Sequence, residues 1–149
     1  MKAETDPITE DEWLLRRVHK DRFPNDKIPP VSPSAFEPRV KGRDLDVDGI
    51  SLYREACLAD ATDILATVDQ AKRHEQGIVR LPVRALLPLG LSVEIKPDAR
   101  IKGHVVIPQL NAADYAANKA AFTPTKLALA EIAGENIVLK PRPDNSGVA

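Results

Sequence analysis

The sequence predicts an α+β fold, a single domain with a small, largely antiparallel sheet and three to four short helices. Strand-like and helix-like segments follow one another along the 149 residues without the regular strand–helix–strand order of a parallel sheet. Thirteen prolines favour short elements joined by rigid loops. With 43% apolar and 29% charged residues, the chain has the composition of a globular domain. We expect this domain to span residues 12–139, between a flexible acidic tail over 1–11 and a second flexible tail over 140–149.

The strongest strand signal covers residues 91–107. Apolar and polar residues alternate from Leu91 to Lys96, and an apolar run follows the turn at Pro97. This pattern predicts an antiparallel hairpin. Shorter strand-like runs lie at residues 13–18, 34–39, 50–53, 78–81 and 137–139. For the first of these runs, a helical turn beginning near Pro7 is the alternative.

Helices are predicted at four places, namely residues 54–68, residues 82–89, the segment after Asn111, and residues 123–134. In the first, apolar residues recur at spacings of three and four, which is typical of an amphipathic helix. The second begins with proline and is followed by Gly90, a residue that commonly ends helices. Asn111 is a suitable N-cap for the third.

The composition disfavours several classes of protein. There are 21 Lys and Arg against 22 Asp and Glu, so the overall charge does not favour nucleic acid as a partner. The sequence contains neither a secretory leader nor an apolar run of about 18 residues, so we expect a cytoplasmic protein without a membrane partner. No glycine-rich phosphate loop or dinucleotide fingerprint is present, and no cofactor is expected apart from the calcium alternative below.

Residues 44–55 match the spacing of a calcium-binding loop. The ligands would be three carboxylates, one main-chain carbonyl and a closing bidentate carboxylate, from Asp44, Asp46, Asp48, Ile50 and Glu55. Gly49 lies where such a loop turns sharply. However, Pro38 and Gly42 disfavour a helix before the loop, and Leu52 cannot supply a ligand oxygen from its side chain. We therefore favour an acidic loop that leads into a strand, with a calcium site as the alternative.

Three residues would suit chemistry on a phosphate ester. His104 lies inside an apolar strand, which is a rigid position from which to move a proton. Arg16 and Arg17 are adjacent on a strand and point to opposite faces, so one of the two would hold the phosphate, and Arg17 is chosen for the catalytic set. Ser34, beside a proline, would orient the substrate. The competing explanations are structural: a hydrogen-bonded histidine, an ion-paired arginine and a serine in an ordinary turn.

Five short runs carry a resemblance to known proteins, LLRRV (14–18), SPSAF (32–36), DGISLYREA (48–56), GIVRLPVRALLPLGLSV (77–93) and KGHVVIP (102–108). Through them, residues 13–108 resemble a family of small uncharacterised bacterial proteins. The resemblance implies a partner of other proteins in small bacterial gene cassettes, and it transfers no established activity. The chain departs from the family at Lys102-Gly103 and in the helical segment 111–134.

Two functions follow from these observations. The leading hypothesis is a non-enzymatic accessory module that binds another protein in the bacterial cytoplasm, within a multi-gene conflict or defence cassette. The alternative is a small toxin-like enzyme that acts on RNA or a nucleotide, with Arg17, Ser34 and His104 as its catalytic set. Convergence of these three side chains in one pocket would favour the enzyme, and a large exposed apolar patch would favour the module.

Overall fold

The computed structural model describes residues 1–23 and 30–142. It is built on one six-stranded sheet with the strand order β4-β5-β2-β1-β3-β6, in which all neighbouring strands are antiparallel. The strands are Trp13–His19 (β1), Ile50–Arg54 (β2), Gln76–Pro82 (β3), Glu94–Ile95 (β4), His104–Ile107 (β5) and Ile137–Leu139 (β6). The predicted α+β domain with an antiparallel sheet is confirmed, including the hairpin that β4 and β5 form.

In the described residues, three α-helices accompany the sheet, Val83–Leu86 (α1), Ala112–Ala117 (α2) and Thr123–Gly134 (α3). The residues that were predicted to end the first helix and to cap the second have these roles in the structure. Gly90 adopts a left-handed conformation (φ 74°) after the turn that extends α1. The Asn111 side chain caps α2 by accepting a hydrogen bond of 2.9 Å from the main-chain N–H of Asp114. None of the helices in the described residues is both long enough and apolar enough to cross a membrane.

Two segments differ from their predicted structure. Residues 54–68 do not form one amphipathic helix but two short 3-10 helices, Glu55–Cys57 and Ala61–Leu65. Asp60 caps the start of the second 3-10 helix. Its carboxylate accepts a hydrogen bond from the main-chain N–H of Thr62, and the Asp63 carboxylate accepts one from the main-chain N–H of Asp60. The strand predicted at 34–39 is also wrong, because this region begins with a 3-10 turn over Pro33–Phe36 that the Ser32 side chain caps.

The two faces of the sheet are covered differently. One face packs against α3 through Leu129, Ala130 and Ala133, and this core also contains Phe36. The other face has a smaller core in which Leu15, Tyr53 and Ile78 pack against Ile64 and Leu65 of a 3-10 turn and against Ile101. Short turns cover less area than a helix does, so the second face is left partly open.

The first eleven residues, predicted to be a flexible tail, have defined contacts with the domain. Arg54 is fully buried and donates hydrogen bonds of 2.8 Å to each carboxylate oxygen of Glu12. It also donates to the main-chain oxygens of Glu4, Asp6 and Pro7. The N-terminal segment therefore satisfies a buried cation. At the other end, most of the second predicted tail, residues 143–149, lies outside the described residues.

Candidate functional site

A polar cavity of about 810 Å³ opens where β1 and β2 separate. The two strands pair only at Leu14–Arg54 and Leu15–Tyr53. Beyond these pairs the cavity is bordered by both strands, by β5, by the loop that contains Arg39 and Asp46, and by the Asp98–Arg100 turn. Among the described residues, five arginines and three aspartates line it, so these side chains carry a net positive charge.

Arg16 holds the inner wall of the cavity in place. Its Nε donates to the Ala35 carbonyl oxygen at 2.8 Å, and its Nη1 donates to the Ser51 carbonyl oxygen at 2.8 Å. The guanidinium also packs 5.8 Å from the centre of the Phe36 ring. Burial lowers the pKa of Arg16 to about 10, although the nearby Asp46 carboxylate opposes this shift. Arg16 therefore remains a cation at neutral pH.

Arg17 extends toward the opposite wall and is half-buried. Its Nη1 donates to Thr67 Oγ1 at 2.8 Å and to the Ile64 carbonyl oxygen at 3.3 Å. Within residues 1–23 and 30–142, neither Arg17 nor Arg16 has a carboxylate oxygen within ion-pair distance. Neutral acceptors orient both guanidinium groups and leave their charges uncompensated by direct contact, which favours an anion in the cavity.

The rim of the cavity contains the more exposed arginines Arg39, Arg43 and Arg100. Asp98 accepts two hydrogen bonds from the Arg100 side chain, at 3.2 and 3.0 Å. This contact, together with the main-chain N–H of Arg100, lowers the pKa of Asp98 to about 2. Because Arg100 already has a carboxylate partner, the rim is closer to electrical balance than the inner wall.

A serine and a histidine are hydrogen-bonded to each other inside the cavity. Ser51 Oγ lies 2.9 Å from Nε2 of His104, and Nδ1 of His104 lies 2.5 Å from the Lys96 carbonyl oxygen. A carbonyl oxygen can only accept, so Nδ1 carries a proton, and in the tautomer with that single ring proton Nε2 accepts from Ser51. The two side chains meet because Ser51 pairs with Val106 and His104 with Tyr53, which makes them diagonal neighbours on one face.

The aromatic ring of Tyr53 borders this pair. Its centre lies 5.4 Å from that of the His104 ring, with an angle of 54° between the planes. Burial raises the pKa of Tyr53, so its hydroxyl stays protonated at neutral pH and can donate a hydrogen bond.

The structure brings together two of the three residues predicted for catalysis. Arg17 and His104 line the same cavity, whereas Ser34 is not among its lining residues. Ser34 Oγ lies 2.7 Å from Ser32 Oγ in the 3-10 turn, as expected of a turn residue. Ser51 lies beside His104 instead. Its alternation with Ile50 and Leu52 on the predicted strand was the available signal, but Ser34 was chosen as the serine of the catalytic set.

The acids of the predicted calcium loop have other partners. Asp44 lies 3.5 Å from the Arg39 guanidinium, and Asp46 accepts the main-chain N–H of Arg39 at 2.6 Å. Glu55 lies 3.5 Å from Arg80. In the part of the chain that the structure describes, no group of three or more His, Cys, Asp or Glu is arranged to hold a metal ion.

The remaining positions of that segment have clear structural roles or are exposed. Asp48 is exposed, and Ile50 pairs with Ile107 at the start of β2. Gly49 has a φ of 122°, and a Cβ added to it would lie 2.1 Å from the Ile107 carbonyl oxygen. The glycine is therefore explained by the close approach of β5. Calcium binding stays a prediction for which the side chains of residues 44–55 offer no converging ligand set.

No protein-family model, curated protein or solved structure matches this chain. The resemblance to small bacterial proteins therefore stays a prediction.

Proposed function

We propose that this protein is an enzyme that binds a nucleotide-sized phosphate ester in the arginine-lined cavity and transfers a proton through His104. One observation carries the proposal: two partly buried arginines, which have no carboxylate within ion-pair distance in the described residues, share a cavity with a histidine whose Nε2 lies 2.9 Å from a serine hydroxyl. This is the enzymatic alternative from the sequence, with Ser51 in the place of Ser34.

The phosphate assignment follows from the chemistry of the guanidinium group. Arg16 and Arg17 each use part of their donor set on carbonyl or hydroxyl oxygens. The remaining N–H groups are in a planar fork that matches two phosphate oxygens. A charged ligand would also compensate two cations that are partly removed from water, so a dianion is preferred to a neutral ligand.

The size of the ligand follows from the shape of the site. A cavity of about 810 Å³ is within the range of pockets for small molecules. The protein carries 21 basic and 22 acidic residues, whereas proteins that bind an RNA backbone commonly have an extended basic surface. Leu45, Val68 and Tyr53 provide apolar surface in the same cavity. A mononucleotide, with its phosphate at the arginines, is therefore a better match than RNA.

The accessory-module hypothesis stays a prediction. Large apolar side chains are exposed at Leu87, Leu127 and Val138 on three different elements, at Met1, and at Leu45 and Val47 in the loop before β2. Scattered apolar residues of this kind are normal on protein surfaces. The bacterial origin, the cytoplasmic location and the defence cassette likewise stay predictions.

Calorimetric titration with adenosine 5′-monophosphate, adenosine and inorganic phosphate tests the binding step. We expect the nucleotide to bind, adenosine to bind much more weakly, and Arg17→Gln to reduce nucleotide affinity by about tenfold, since one charge-assisted interaction is lost. Arg84→Gln is the matched control, because Arg84 is exposed beside Trp13 and does not line the cavity. Equal affinities of the two variants, or tight binding of RNA but not of the nucleotide, would contradict the proposal.

The catalytic step is tested by the release of adenosine and inorganic phosphate from the same nucleotide. His104→Gln is expected to lower turnover by about a hundredfold, the usual range for loss of a general acid–base. Its effect on nucleotide affinity should be much smaller than that of Arg17→Gln. A variant that keeps full turnover would remove His104 from the mechanism.

A further inference from the structure

We infer that the reaction proceeds through a covalent phosphoserine at Ser51, with His104 as the general base that activates this serine. The inference rests on the proposed function, because it specifies how a phosphate monoester bound in the cavity would be hydrolysed.

The geometry of the pair is that of an activated nucleophile. Ser51 Oγ is 2.9 Å from the nitrogen that must take its proton. The other ring nitrogen is held by the Lys96 carbonyl oxygen at 2.5 Å, which fixes the tautomer and would stabilise the imidazolium that forms. A nucleophile, a base and a group that orients the base are thus arranged in sequence. The side chain of Ser34 is hydrogen-bonded to Ser32 and to no histidine within residues 1–23 and 30–142.

The surroundings of Ser51 explain why the acceptor would be phosphorus. Arg16 donates to the main-chain oxygen of Ser51 at 2.8 Å, so a cationic side chain is anchored directly beside the nucleophile. Arg16, Arg17 and Ser51 all line the same cavity. A phosphate bound by Arg16 would lie close to the serine, with Arg17 on the facing wall, and its non-bridging oxygens would be stabilised as charge shifts during attack.

The chemistry balances with water as the only co-reactant. Ser51 Oγ forms a bond to phosphorus while its proton moves to Nε2 of His104. The bond from phosphorus to the nucleoside oxygen breaks, and that oxygen takes the proton from Nε2 and leaves as an alcohol. A water molecule then attacks the phosphoserine and gives a proton to Nε2. Ser51 Oγ leaves and recovers that proton, which yields inorganic phosphate and the free enzyme.

The test is acid quenching of the full-length protein during turnover of adenosine 5′-monophosphate or p-nitrophenyl phosphate, followed by intact-mass and peptide mass spectrometry. We expect one added phosphoryl group, located on Ser51. Ser51→Ala should lose the adduct and reduce turnover by at least about a hundredfold, while it binds the nucleotide with wild-type affinity. Ser34→Ala is the matched control and should keep both the adduct and the turnover. The thermal unfolding of each variant verifies that it is folded.

The possible results separate this inference from the proposal on which it depends. Turnover without an adduct, or turnover that persists in Ser51→Ala, would overturn the phosphoserine intermediate and indicate direct attack by water. An adduct on another residue would overturn it as well. Nucleotide binding with neither adduct nor turnover would also overturn it. Absence of nucleotide binding would overturn the proposed function as well.

Discussion

The two faces of the sheet show how one set of strands can support both a closed core and an open site. On the closed face, α3 lies against the strands through Leu129, Ala130 and Ala133, all fully buried. On the open face, short 3-10 turns cover only part of the sheet, and Arg17 and His104 line a cavity. Adjacent residues of β1 belong to different faces, and Leu14 and Leu15 accordingly belong to different cores.

This difference indicates that stability and function depend on different residues. Small side chains of α3 allow close packing over one face, where burial of apolar area provides the main stabilising free energy. On the other face, the half-buried Arg17 has no carboxylate within ion-pair distance among the described residues, and its charge opposes stability in the free protein. Substitutions on the closed face should therefore change the free energy of unfolding, and those on the open face should change ligand affinity.

The largest effect is expected at the buried ion pair on the closed face. Replacement Glu12→Ala would leave the Arg54 guanidinium without its carboxylate at a site that is fully buried. We expect a loss of about 3–5 kcal/mol in the free energy of unfolding, since an uncompensated buried charge is strongly destabilising. Urea unfolding followed by circular dichroism measures this loss.

A double substitution distinguishes the charge from the packing. Glu12→Ala combined with Arg54→Met removes both charges, so it should be less destabilising than Glu12→Ala alone. If the double variant were the less stable of the two, the hydrogen bonds from Arg54 to residues 4–7 would matter more than the compensation of charge.

The next effect concerns the helix that closes this face. Leu129 lies on the buried side of α3 and is fully buried. Its truncation to alanine should lower the free energy of unfolding by about 2–5 kcal/mol. Leu127→Ala is the matched control on the same helix, because Leu127 is 43% exposed. Nucleotide affinity measured on folded Leu129→Ala should stay unchanged. Equal destabilisation by the two variants would show that α3 does not close the core as described.

A smaller effect is expected from acid. Burial raises the pKa of Glu12, but hydrogen bonds from Arg54, from the main-chain N–H of Thr9 and from Lys2 outweigh it and lower this pKa to about 2. A carboxylate with a lowered pKa stabilises the fold above the pKa of the unfolded chain, 4.5. We expect this stabilisation to decrease as the pH falls from about 4.5 to about 2. The loss should be smaller than in Glu12→Ala, because a protonated carboxyl group still accepts hydrogen bonds.

Urea unfolding across this pH range provides the measurement, and Glu12→Gln is its control. The amide cannot be titrated, so the variant should lose less stability on acidification than the native protein does. If both proteins lost the same amount between pH 4.5 and 2, other carboxylates would account for the acid sensitivity.

The sequence was most informative where a local signal decides the local structure. The alternation after Leu91 predicted the β4–β5 hairpin, and the residues around α1 and α2 predicted where those helices begin or end. The segment 54–68 was misjudged because apolar residues three apart suit a 3-10 turn as well as an α-helix. The capping contacts of Asp60 and Asp63 then favour two short 3-10 helices over one continuous α-helix.

The candidate site was less predictable because it depends on contacts between distant residues. Arg17 and His104 could be proposed individually, since each is a polar residue on an apolar strand. Their shared cavity exists because β1 stops pairing with β2 after Leu15, a feature without a local sequence pattern. Ser51 was missed because its partner His104 is 53 residues away, and the acidic segment around Ser51 suggested a different chemistry.

The smallest expected change in stability lies on the open face and gives the sharpest test of the comparison. Arg17→Met removes one half-buried cation and its hydrogen bonds to Thr67 and Ile64, so these effects partly cancel. The free energy of unfolding should change by no more than about 1 kcal/mol.

Millimolar phosphate should raise the melting temperature of the native protein, because a ligand that binds only the folded state stabilises it. That increase should be much smaller in Arg17→Met and unchanged in Arg84→Met, whose side chain lies outside the cavity. A large loss of stability in Arg17→Met without a change in the response to phosphate would make this arginine structural, and the two faces would no longer differ in the way proposed.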